Sequence, residues 1–109
     1  MMILTKKIKE QLIQNHVEDI NDTKPVVKLF GGSSCTWLLT DLDPETNVAF
    51  GLCDLGFGSP EMGYVSLYEL ESIKFPPFNL GVERDLHFEA DKTLTEYWRE
   101  SCTLGYIQA

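Results

Sequence analysis

Two apolar runs, Thr36 to Leu42 (TWLLTDL) and Asn47 to Leu55 (NVAFGLCDL), flank Asp43-Pro44-Glu45-Thr46, a turn with proline at its favoured second position. This pattern predicts an antiparallel hairpin. Neither run alternates cleanly between apolar and polar residues, so the hairpin is expected at the centre of a sheet, covered on both faces.

The second run leads into the stretch from Asn47 to Ser66, which holds four of the eight glycines: Gly51, Gly56, Gly58 and Gly63. It predicts a strand, a glycine-rich loop and a short strand at Tyr64 and Val65. Upstream, residues 5 to 20 read as a helix with Thr5 as N-cap and Leu4, Ile8 and Leu12 as its stripe, widened by Ile13, Val17 and Ile20. Lys6 and Lys7 oppose the macrodipole in the first turn, so this helix must depend on packing. Val26 to Phe30 predicts a strand, and Gly31 to Ser34 a hairpin turn; without a following lysine that turn is no phosphate loop.

Downstream, Ser66 and Glu69 have capping-box spacing ahead of a short helix that Pro76 and Pro77 stop. Val82 to Ala90 alternates, with Arg84, Leu86 and Phe88 on one face and Glu83, Asp85, His87 and Glu89 on the other. A second capping box, Thr93 with Glu96, opens a last helix whose apolar face reads Leu94, Tyr97, Trp98 and Cys102. The expectation is one α+β domain over residues 1–109. It has a four- to five-stranded, mostly antiparallel sheet, N- and C-terminal helices covering one face, and one short internal helix.

The net charge is −8. Residues 1 to 40 carry five Lys against four acids, a balance of +1, and residues 41 to 100 carry thirteen acids against four bases, a balance of −9. Such a surface repels phosphate backbones and suits a basic protein surface. Three cysteines with no CxxC pair point to reduced thiols and a cytoplasmic setting, and charge near the N-terminus argues against an export signal. No apolar run approaches the roughly 18 residues needed to span a bilayer.

Three constellations carry possible chemistry. Asp54 and Glu61 flank the glycine loop and can be read as an acid–base or cation pair, or as turn caps together with Gly56 and Gly58. Glu83, Asp85 and His87 would share one strand face, with Asp85 and His87 about 6 to 7 Å apart, as part of a metal site or as a solvated face with Arg84 turned inward to a buried acid. Cys53 with His87 can be read as a thiol site, but an apolar strand beside Asp54 favours a structural cysteine.

The segments PVVKLF, TWLLTDLDP, AFGLCDLGFGSPEMGYVSLYEL and ERDLHF resemble a family of small bacterial domain-of-unknown-function proteins encoded on plasmids, integrative elements and phages. The likeness runs from about Leu4 to Glu96 and implies a cytoplasmic accessory protein without assigning catalytic residues. The resulting expectation is a non-enzymatic protein that binds a macromolecular partner, such as a nucleic-acid-processing or host-defence protein, through its acidic surface. Asp54, Gly56, Gly58, Glu61, Asp85 and His87 are the candidate binding residues, with no metal, cofactor, membrane or direct nucleic-acid contact. The alternative is a small hydrolase or metal-dependent enzyme using Asp54, Glu61, Asp85 and His87. Oligomeric state is left open.

Overall fold

The computed structural model describes residues 3–19 and 21–109. Helix α1 (Lys6–Glu18) precedes strands β1 (Val27–Gly31), β2 (Cys35–Asp43), β3 (Val48–Asp54) and β4 (Glu61–Ser66). Helix α2 (Leu67–Ser72), strand β5 (Glu83–Arg84) and helix α3 (Leu94–Leu104) complete the chain. The sheet order is β4-β3-β2-β1-β5 with every neighbouring pair antiparallel, the expected α+β class. Ile20, placed by the sequence pattern at the end of α1, lies outside the described residues.

The central hairpin is covered on both faces, as its apolar runs require. Trp37 and Leu39 of β2 join Leu12 of α1 and Leu67 and Leu70 of α2 in one core. Leu38, between them, joins Leu52 of β3, Leu94 and Tyr97 of α3 and Ile107 in a second. The terminal helices therefore cover opposite faces, not one. Consecutive strand residues point to opposite sides, so two runs this apolar need a helix on each.

One irregularity sets how β2 divides its side chains. The register with β3 slips between Leu39 and Asp41, so Thr40 is an extra residue on β2. Beyond the bulge, Leu42 returns to the α1 face with Trp37 and Leu39, which an unbroken strand would not allow. The carbonyl of Thr40 accepts from Asn15 Nδ2 of α1 at 2.9 Å, a buried bond, and Gln11 Nε2 donates to the Asn15 amide oxygen at 2.9 Å. The Thr40 hydroxyl lies 2.8 Å from Asp41 Oδ1 and 3.3 Å from the Phe50 carbonyl. Opposite Leu39 stands Gly51, where a Cβ would overlap the backbone carbonyl of Leu38.

Local expectations fare unevenly. Thr5 and Thr93 cap their helices as predicted, and Thr93 and Glu96 close a full capping box. At α2 only the serine half of the predicted box forms, with Ser66 Oγ accepting from Glu69 N at 3.3 Å. Val17 is 70% exposed and no part of the α1 stripe. On α3, Leu94, Tyr97 and Ser101 are buried while Trp98 and Cys102 are exposed.

The predicted strand from Val82 to Ala90 shrinks to Glu83–Arg84. The Asp85 carboxylate accepts from His87 N at 2.9 Å, and this local turn ends the ladder. Arg84 does turn inward, but it donates to the Ile3 carbonyl at 2.7 Å instead of meeting an acid. Among the described residues no helix is long and apolar enough to cross a membrane.

Gly51→Ala is expected to lower stability by about 3 kcal/mol, the upper end for forcing extra atoms into a packed core. Urea denaturation of the two proteins side by side measures it.

Candidate functional site

A concavity of about 560 Å³ lies between the turn after β5, the start of α3 and the C-terminal residues. Asp85, His87, Phe88, Glu89, Asp91, Lys92 and Tyr97 line it together with Gln108 and Ala109. Asp85 is fixed from two sides: Oδ1 by the His87 amide, and Oδ2 by Lys28 Nζ of β1 at 3.6 Å. Lys28 Nζ also donates to the Ala109 carbonyl at 2.7 Å. His87 is exposed at the rim.

A second cluster forms the wall at the start of α3. The buried Tyr97 hydroxyl donates to Asp91 Oδ1 at 2.9 Å and accepts from Asp91 N at 3.2 Å. Lys92 Nζ stands 5.1 Å from the Tyr97 ring centre, 3.7 Å from Asp91 Oδ1 and 3.6 Å from Glu100 Oε2. The Tyr97 hydrogen bond, followed by the Lys92 charge, lowers the Asp91 pKa. Burial raises the Tyr97 phenol. Burial also works against the Lys92 ammonium, but the carboxylates of Asp91 and Glu100 outweigh it and hold that pKa up. The cleft thus presents carboxylates while its one lysine is already engaged by Asp91 and by Glu100 from outside the lining.

The sequence candidates divide into separate places. Asp85 and His87 meet at the cleft, in a turn instead of on a strand face. Glu61 opens β4, at the opposite edge of the sheet from β5; four strand spacings separate those strands, roughly 19 Å. Asp54 ends β3, three spacings or roughly 14 Å from β5. The four side chains proposed for an enzyme therefore do not converge. Among the described residues, no three or more His, Cys, Asp or Glu side chains are grouped to hold a metal ion.

Asp54 has a different occupation. It is buried, with Oδ1 accepting from Gly56 N at 2.9 Å and Oδ2 from Ile107 N at 3.2 Å. One carboxylate thereby turns the glycine loop and anchors the C-terminal segment, seating Ile107 in the α3 core. Gly56 has φ +87°, and a Cβ there would overlap Ser34 Oγ of the neighbouring turn. Gly58 packs its carbonyl towards Gly105, the cap of α3.

Cys35 and Cys53 are equally structural. Burial pushes the Cys53 thiol up to about 11, and burial followed by the Asp54 charge raises Cys35. Cys53 packs against the α1 core, on the sheet face opposite the α3 core that Phe88 joins. A pairing with His87 is not formed.

Sequence reading missed Asp91, Lys92 and Tyr97. Their signal was the Thr93 cap itself: Lys92 precedes the cap and Tyr97 is four residues past it, the two positions that a hydrophobic staple joins. Here the staple is a cation over an aromatic ring.

The chain belongs to a family of proteins of unknown function, DUF2958, whose model matches residues 3–108. No curated protein and no solved structure matches the chain.

Asp54→Ala is expected to cost about 2 kcal/mol by stranding the buried Ile107 amide and undoing the Gly56 turn, and Asp54→Asn less because it keeps one acceptor oxygen. Thermal unfolding of both variants checks the order. In alkylation at neutral pH, exposed Cys102 should react first and Cys53 last. The Cys53 rate should rise about tenfold per pH unit until about 11, as the thiolate fraction grows. Mass spectrometry of timed samples reads both.

Proposed function

We propose that this member of the DUF2958 family is a non-enzymatic cytoplasmic accessory protein of mobile-element origin that binds a basic macromolecular partner. The observation that supports it most is where the charges lie. Of the thirteen acids between residues 41 and 100, only Asp54 is buried. Of the four bases in that span, Arg84 is turned onto the Ile3 carbonyl and Lys92 is held by Asp91 and Glu100. Folding thus keeps nearly all of these acids in contact with solvent, and Glu83, Glu89 and Glu96 among them are exposed and outside the ion pairs formed by the described residues, so the surface of this span is strongly negative.

The cleft is where this surface is concave. Asp85, Glu89 and Asp91 line it beside the aromatic rings of Phe88 and Tyr97, an environment suited to arginine or lysine side chains of the partner. A nucleic-acid-processing or host-defence protein has basic surface of this kind. The mobile-element setting rests on the family resemblance of the four sequence segments. Phosphate backbones are repelled by a net charge of −8, so the partner is a protein.

The test is capture of partners from a host extract at low and high salt, followed by affinity measurement with the purified partner. Binding should fall by roughly tenfold or more as salt rises from low to several-fold physiological strength, because the contact is between opposite charges. The charge-reversed variant Glu83→Lys with Glu89→Lys should weaken it comparably at low salt. A complex indifferent to both salt and charge reversal would sink the proposal.

A further inference from the structure

The sheet ends in two edges of different kinds. β5 is two residues long, so that edge offers little to a passing strand. β4 is six residues long and lies at the other edge. It contains no proline and no lysine, its register with β3 runs without a bulge, and its single charge is Glu61 at the start. The devices that keep exposed edges from pairing are missing from it.

The pairing geometry states which groups are free. Leu67 N donates to Asn47 O at 3.0 Å, continuing the β3–β4 register by one pair. Hydrogen-bonded and non-bonded pairs alternate in an antiparallel ladder. Gly63 and Val65 therefore bond inward to β3, while Met62 and Tyr64 turn their N–H and C=O groups outward and Ser66 its N–H; the Ser66 carbonyl, at the N-cap of α2, accepts the first bond of that helix. Among the described residues, no other segment bonds to these outward groups. Tyr64 is 77% exposed, with its ring 5.0 Å from that of Phe50.

We propose that β4 pairs antiparallel with β4 of a second copy of this chain, making one continuous sheet across a two-fold axis at Tyr64. Only one register uses all three outward residues: Tyr64 opposite Tyr64 of the second copy, with Met62 opposite Ser66 on either side. It forms about four main-chain hydrogen bonds, two between the tyrosines and one from each Ser66 N–H to a Met62 carbonyl, and every facing pair lies on the same side of the sheet, as antiparallel pairing demands. The edge itself carries little charge to oppose a second copy in spite of the acidic surface. In this register Glu61 falls opposite Leu67, beyond the paired residues, and the two Glu61 positions stand roughly 20 Å apart, past the screening length. The two tyrosines become neighbours next to Phe50, covering the most exposed ring of the strand. The acidic clefts stay open at the far edges, so the dimer carries two of them.

Sedimentation velocity over a concentration series, with hydrogen exchange read residue by residue, tests this. The wild-type protein should reach twice the monomer mass. The amides of Tyr64 and Ser66 should exchange at least about tenfold more slowly in the dimer than at monomeric dilution, with those of Gly63 and Val65 protected in both. Tyr64→Pro removes an outward N–H and no bond to β3, and Tyr64→Lys places two like charges on the axis. Both should be folded monomers by circular dichroism. Should the proline variant unfold, the lysine variant decides. A wild-type protein that stays monomeric throughout, or a dimer that survives in either folded variant, overturns the proposal.

Discussion

A strand buried on both faces must divide its side chains between two cores, and in this protein the division turns on one unpaired residue. Thr40 interrupts the β2–β3 register, and the interruption places Leu42 in the α1 core with Leu39, three residues before it. An extra residue frees a backbone carbonyl inside the protein, and a buried carbonyl without a partner costs about 1–3 kcal/mol. Asn15 removes that cost from across the interface, at 2.9 Å. The same bond fixes α1 along the sheet, which propensity does not do for a helix with two lysines in its first turn. Gly51 completes the arrangement by letting the two strands approach where the bulge crowds them.

The architecture was legible where patterns span many residues. The central hairpin, its double burial, the helix caps at Thr5 and Thr93 and the five-stranded class all follow from periodicity and turn chemistry. What could not be read was where a pattern yields to one tertiary contact. Glu83 to Glu89 alternates like a strand, yet Asp85 folds its carboxylate onto the His87 amide and ends the ladder after two residues. Trp98 and Cys102 sit at helical spacing from Leu94, yet the buried position is Ser101, which is small enough to lie against the sheet. Asn15 and the Thr40 bulge have no sequence signature, because one polar residue on a helix looks the same whether it faces water or a stranded carbonyl.

The candidate site shows the same limit from another side. Sequence spacing joined Asp54 and Glu61 through the glycine loop, and Asp85 and His87 through a strand. Strand order separates the pairs: the loop joins β3 to the β4 edge, and the turn follows the β5 edge. Asp85 acquires its neighbours from β1 through Lys28, 57 positions back along the chain, and from Gln108 and Ala109 beyond α3, more than twenty positions ahead, placements that no local pattern encodes. Asp91, Lys92 and Tyr97 are nearly adjacent in sequence, but their significance depends on where α3 docks.

That docking brings the glycine loop back into the account. Asp54 accepts from Gly56 on one oxygen and from Ile107 on the other, so the loop's carboxylate holds the segment whose last residues line the cleft. The loop contributes no side chain to the cleft and still determines its shape, since releasing Ile107 would free Gln108 and Ala109 with it. A perturbation at Asp54 would therefore look like a defect in partner binding although no partner touches it. Loss of binding separates the two explanations only when it is compared with loss of stability: a positioning defect changes both together, whereas reversing an exposed cleft acid such as Glu89 changes binding alone.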